Sequence, residues 1–145
     1  MLAQTQTQFR RSLVMGSVAA LCGIAPALAA QIASFSGTTV GTYALSNIAL
    51  SDQTGTPCVG YGDQNPDHSF NLDHTANATI TVDSSGDTTL LVRNQRTGAI
   101  YCGQDISRSN PDDSITASLG SGTYDVWVGS HTQGGQISYG LTVNE

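Results

Sequence analysis

The chain has 145 residues, a net charge of −6 and a pI near 4.6, and 11% of its residues are charged. An ordinary soluble domain carries about 25% charged residues. Lysine is absent, and beyond Arg10 and Arg11 three arginines stand against eleven acids, a net charge of −8. So acidic a surface is a poor match for phosphate backbones and excludes nucleic acid as the expected partner. At 39% the hydrophobic content is too high for a disordered polar chain.

Residues 1–29 read as an export signal. Arg10-Arg11 forms a short cationic start, and an apolar run follows with Leu13, Val14, Met15, Val18, Leu21 and Ile24. Ala27-Leu28-Ala29 then offers the small-x-small pattern of a cleavage site, with Ala30 as the alternative position. The run is too short and too broken by glycine for a membrane span. The arginine pair followed by Ser12, Leu13 and Val14 also resembles a twin-arginine signal, although Phe9 stands where a polar residue is usual. Leu21 before Cys22 argues against a lipoprotein. The protein is therefore expected to be secreted or periplasmic, and a mature N-terminal helix is the competing reading of this stretch.

Residues 30–57 form a leading segment with Ile32, Phe35, Val40, Tyr43, Leu45, Ile48 and Leu50 spaced through a Gly/Ser/Thr background. Two expectations compete for it. It supplies an edge strand to its own domain, the favoured outcome because a tethered strand has a high effective concentration, or it fills an edge of the next molecule. Residues 52–57 read as a polar loop leading into Cys58.

Residues 58–145 read as an all-β domain of about eight or nine strands, a sandwich or jelly-roll-like barrel. Phe70 and Leu72 share a face, as do Ile80 and Val82. Tyr124, Val126 and Val128 share another, with Asp125 and Trp127 opposite, and Ile137, Tyr139, Leu141 and Val143 give the longest alternation. Such period-2 patterns bury one face of a strand. Turn signals fall at residues 84–87, 96–98, 120–122 and 133–135. Once the leader is removed, two cysteines remain, Cys58 and Cys102. In an exported domain an isolated pair is most simply a disulfide; free thiols and half a metal site are the rivals. The loop closed would hold about 45 residues, worth about 4 kcal/mol.

Four pieces recur together in a known pattern. They are Cys58-Val59-Gly60 with Asn65-Pro66-Asp67-His68-Ser69-Phe70; residues 86–92, from Gly86-Asp87-Thr88-Thr89 onward; Ile100-Tyr101-Cys102 with Asp105 and Asn110-Pro111; and residues 121–130, which include Tyr124-Asp125-Val126-Trp127. The combination resembles the bacterial pre-peptidase C-terminal (PPC) domain and the small secreted proteins built like it, over residues 58–145. The resemblance implies an exported jelly-roll-like β-sandwich, often appended to secreted hydrolases and without catalytic activity of its own. Relatives of this kind often carry successive aspartates after the second cysteine, and some bind calcium. Here that place holds Gly103-Gln104-Asp105. Ca²⁺ takes six to eight oxygen ligands, so a remaining site would gather Asp105, Asn110, Asp112 and Asp113 around one loop, with Asp87 or Asp67 added by the fold. The alternative is a solvated acidic loop.

Other residues carry weaker signals. His68, His74 and His131 match no ligand spacing. Ser130 and His131 are adjacent on a strand and point apart, and no Gly-x-Ser-x-Gly elbow exists. Asn77-Ala78-Thr79 matches a glycosylation sequon, but the leader reads as bacterial. Asp125 and Trp127 project together, so they form a candidate site for stacking on and hydrogen-bonding a sugar; packing on the second face of a sandwich is the other reading. The expected function is a non-catalytic accessory or binding module, with carbohydrate or a cell-surface protein as partner. A structural subunit of a surface layer or fibre, a homo-oligomer joined by strand addition, is the alternative. A hydrolase is disfavoured for want of a nucleophile or acid–base set.

Overall fold

Alternating apolar and polar side chains commit a strand to one buried face, and this chain stacks two antiparallel sheets on the faces so marked. The computed structural model describes residues 29–145; the expected export signal, with Arg10, Arg11 and Cys22, lies outside the described residues apart from Ala29. The elements are β1 (Gln31–Thr38), β2 (Tyr43–Ala44), a 3-10 turn (Leu45–Asn47), β3 (Tyr61–Gly62), β4 (His68–Leu72), β5 (Ala76–Ser84), β6 (Thr88–Asn94), β7 (Ile100–Cys102), β8 (Gln104–Ser107), β9 (Asn110–Leu119), β10 (Gly122–Ser130) and β11 (Ser138–Asn144). One sheet has the order β1-β11-β5-β9-β8. The other has the order β2-β3-β10-β6-β7, and β4 also pairs with β10. The fold is an all-β sandwich. It has more strands than the alternation counts, because β2 and β3 are two residues each and because β8 and β9 form a hairpin where an acidic loop was expected.

The main core lies between the sheets. Ala78, Ile80 and Val82 of β5 and Leu141 and Val143 of β11 meet Leu90 and Val92 of β6 and Tyr124, Val126 and Val128 of β10. Ile80, Val82, Tyr124, Val126, Val128, Leu141 and Val143 are marked as inward by their period of two, whereas Leu90 and Val92 lie in a continuous apolar run that shows no alternation. Among the described residues no helix is long and apolar enough to cross a membrane.

A second, smaller core covers the outer face of the six-stranded sheet. Leu91 and Trp127 point there, and residues 45–58 fold across them as a flap, so that Leu45, Cys58 and Cys102 join the cluster. The Cys58–Cys102 disulfide, with Cα atoms 5.2 Å apart, ties the flap to β7. At Gly60 the backbone adopts φ +89°, and a Cβ there would fall 2.3 Å from Thr89 Oγ1. The flap therefore lies directly on the sheet, and this close fit leaves Thr89 Oγ1 buried without a hydrogen-bond partner.

Within the leading segment, β1 pairs with β11 of its own chain from Gln31↔Asn144 to Thr38↔Ser138. Phe35 of β1 stacks on the His68 ring at 4.7 Å, and His68 Nε2 lies 2.8 Å from the Tyr139 hydroxyl. Burial lowers the pKa of His68 and pushes that of Tyr139 up to about 12, with the Asp67 charge adding to the second effect. These three rings close one long margin of the sandwich. Ile32, Phe35, Leu45 and Ile48 are thus spent inside the domain, whereas Leu50 is 81% exposed.

Replacing both Cys58 and Cys102 by serine releases the flap. The expected loss is about 4 kcal/mol, from loop entropy over a separation of 44 residues. The emission of Trp127, the single tryptophan, is expected to shift to the red in the folded variant. A variant that melts with the parent and keeps its emission contradicts the role of the flap.

Candidate functional site

The chain passes between the two sheets six times, and at two neighbouring crossings a carboxylate holds the passage. Consecutive side chains leave a strand in different directions, so Asp112 and Asp113 of β9 reach both. At the first, β5 ends in one sheet and β6 begins in the other. Ser84 N–H donates to Asp112 Oδ2 at 2.9 Å, while the hydroxyls of Ser84 and Thr88 donate to Asp112 Oδ1. At the second, β7 leaves the six-stranded sheet and becomes β8 of the other. There Gly103 N–H donates to the Leu90 carbonyl at 2.8 Å, and Leu90 N–H donates to Asp113 Oδ2 at 2.9 Å. A Cβ at Gly103 would sit 2.7 Å from Asp113 Oδ2 and 2.9 Å from Leu90 Cβ, so this crossing requires glycine. Asp112 and Asp113 are only 2% and 3% exposed.

The electrostatics at the second crossing are one-sided. Burial is the largest influence on Asp113; the Leu90 N–H opposes it, and the charges of Asp105, Asp87 and Asp112 reinforce it. The result is a carboxyl pushed up to about 7. Asp105 lies on β8 directly opposite Asp113 and is exposed. Asn110 Oδ1 accepts from Asp112 N–H at 3.2 Å. Asp105, Asn110, Asp112 and Asp113 thus share a hairpin but do not form an open ligand set. Both oxygens of Asp112 and one of Asp113 already accept from the protein, and Asp67 is held elsewhere, accepting from Val128 N–H at 2.8 Å. Among the described residues no group of three or more His, Cys, Asp or Glu side chains could hold a metal ion. Asp112 and Asp113 are thus committed to backbone and hydroxyl donors of the protein.

The candidate sugar platform is also spent. Asp125 and Trp127 do project from one face of β10, but that face is the one under the flap. Trp127 is 2% exposed; its Nε1 donates to the Gln64 carbonyl at 3.4 Å and the Arg93 guanidinium lies 4.9 Å from its ring centre. Asp125 accepts from Arg93 Nη2 at 3.1 Å and from Gln95 Nε2 at 2.8 Å. No open ring face remains. The three histidines sit apart, with His68 against Tyr139, His74 between Asp73 and Glu145, and His131 exposed at the end of β10.

The second crossing leaves a slot that the residue types did not announce. β8 pairs with β9 only through Ser107↔Asn110, Asp105↔Asp113 and Gln104↔Ser114. β5 covers the other side of β9 from Thr81↔Ser114 to Ala76↔Leu119. Because the chain has turned away at Gly103, residues 115–119 have a neighbour on one side alone. The space beside them measures about 830 Å³ and is bounded by Tyr101, the β8 strand and the loop of residues 52–56. Asp52 lines it. Burial raises the Asp52 pKa, and donors from Thr54, Thr56 and Cys102 outweigh that and hold its carboxyl below the ordinary range. Neither a family model nor a curated protein matches the chain.

The raised pKa of Asp113 makes stability fall with pH. The native state holds a proton that the unfolded state releases near the ordinary carboxyl pKa, so the contribution is complete below about 4 and is lost as pH rises through about 7. The change is bounded by about 4 kcal/mol. Asp113→Asn keeps an acceptor for Leu90 N–H and removes the titration. Denaturant midpoints between pH 4 and 8 are expected to fall more steeply for the parent than for the variant, in which Asp67 and His68 still titrate; parallel profiles contradict this account of Asp113.

Proposed function

We propose that the chain is an exported, non-catalytic β-sandwich that serves as an accessory or binding module outside the cytoplasm, of the kind the PPC resemblance implies. The observation that carries this reading is the slot beside residues 115–119, a concave surface of about 830 Å³ walled by strand backbone, hydroxyls and two carboxylates. That volume falls within the range of ligand sites. The leader of residues 1–29 and the pairing of Cys58 with Cys102 support an oxidising destination. The fibre reading is less favoured, because it needs a free donor strand, and β1 is occupied on β11 while residues 45–58 cover Trp127. In this reading calcium is no cofactor, since two of the aspartates that would bind it, Asp112 and Asp113, hold the crossings.

Amide-resolved NMR of the mature protein tests the reading, with envelope protein extract and envelope polysaccharide of the host in separate titrations. One of them is expected to shift the amides of Thr54, Tyr101, Ile106 and Thr116 while the free protein sediments as a monomer. Polymerisation without any partner would favour the fibre instead. Silence in both titrations contradicts a binding role at the slot.

A further inference from the structure

We infer that the slot is a strand acceptor, and that its occupant is an extended segment of another polypeptide with apolar side chains at alternate positions and arginine or lysine between them. The inference rests on the binding-module reading above and names the class of partner.

The backbone argues first. Along an antiparallel strand alternate residues turn their N–H and C=O groups to opposite sides, so about half of these groups in residues 115–119 face the slot. Sheets blunt such edges with lysine, proline, bulges or a covering loop. Residues 115–119 read Ile-Thr-Ala-Ser-Leu, with no charge and no proline, and the irregularity in the β8–β9 pairing lies at Asp105/Ser107, beyond this stretch. The edge itself carries no charge, proline or bulge, and the loop of residues 52–56 borders it across the slot without a backbone pairing to it.

The walls specify the side chains. A strand added beside β9 sends alternate residues inward and outward. Inward ones meet Tyr101, Ile115 and Ala117, which border the main core. Outward ones meet the hydroxyls of Thr116 and Ser118 on the outer face of the sheet. Asp52 and Asp105 both line the slot, no arginine is among its described lining residues, and Ile106, also in the lining, is 46% exposed. Apolar alternation with cationic residues between satisfies all of these surfaces. A sugar finds no comparable platform, because the one aromatic ring in the wall, Tyr101, packs toward Tyr124 at 6.5 Å.

The test titrates a blocked hexapeptide alternating valine and arginine into ¹⁵N-labelled mature protein. Saturable shifts are expected at the amides of residues 115–119. A copy N-methylated on the pairing edge is expected to bind at least tenfold more weakly, as is a copy with glutamate in place of arginine. Asp105→Arg is expected to weaken the arginine peptide at least tenfold without changing Trp127 emission. Equal binding of the N-methylated copy, or shifts confined to another surface, overturns the inference. A chitin oligomer that shifts these amides while the peptides do not also overturns it, yet leaves a binding module standing. Silence toward the envelope fractions, by contrast, removes the module reading itself.

Discussion

Two buried carboxylates make this sandwich possible. A chain that passes from one sheet to another must abandon its ladder partners at the crossing, and a buried N–H left unpaired costs about 1–3 kcal/mol. Asp112 supplies the missing acceptor to Ser84, and Asp113 supplies it to Leu90. Asp67 does the same between β3 and β4, where the edge strand on β10 is interrupted and its carboxylate takes Val128 N–H. In each place a short acidic side chain stands in for a strand. The consequence is electrostatic: burial and the nearby Asp105, Asp87 and Asp112 bring Asp113 to the edge of neutrality at physiological pH.

The remaining margins are closed by other means. Phe35, His68 and Tyr139 fill the gap between β1 and β4. The disulfide-tied flap dries the outer face of the six-stranded sheet and turns Trp127 from a surface residue into a core residue. Beside residues 115–119 no described strand takes the place of the one that left at Gly103; Tyr101 and the loop of residues 52–56 border the space without pairing to it. Structure and proposed function meet at that point, because the crossing that completes one sheet leaves an opening in the other.

Much of this architecture is legible in the sequence, for reasons of range. The inward faces of β5, β10 and β11 follow from period-2 alternation, which is local. The Cys58–Cys102 pair follows from counting. The shared direction of Asp125 and Trp127 is also local, but their covering is not: Leu45 and Ile48 lie in a Gly/Ser/Thr background with no period to mark them as a lid. The role of Asp112 depends on Ser84 and Thr88, which are 28 and 24 residues away, and an aspartate after a Pro in a polar stretch looks the same whether it faces water, calcium or a backbone N–H. β8 could not be found by alternation, since all four of its residues are exposed. The slot belongs to no residue type. It exists because a strand changes sheets.

Hydrogen exchange along β9 tests that central claim most directly. The account predicts slow exchange for the amides of residues 115–119 that face β5 and exchange orders of magnitude faster for those that face the slot, in alternation along the strand. Uniform protection of every amide in residues 115–119, in the protein without a partner, would mean that the edge is already paired and would contradict it.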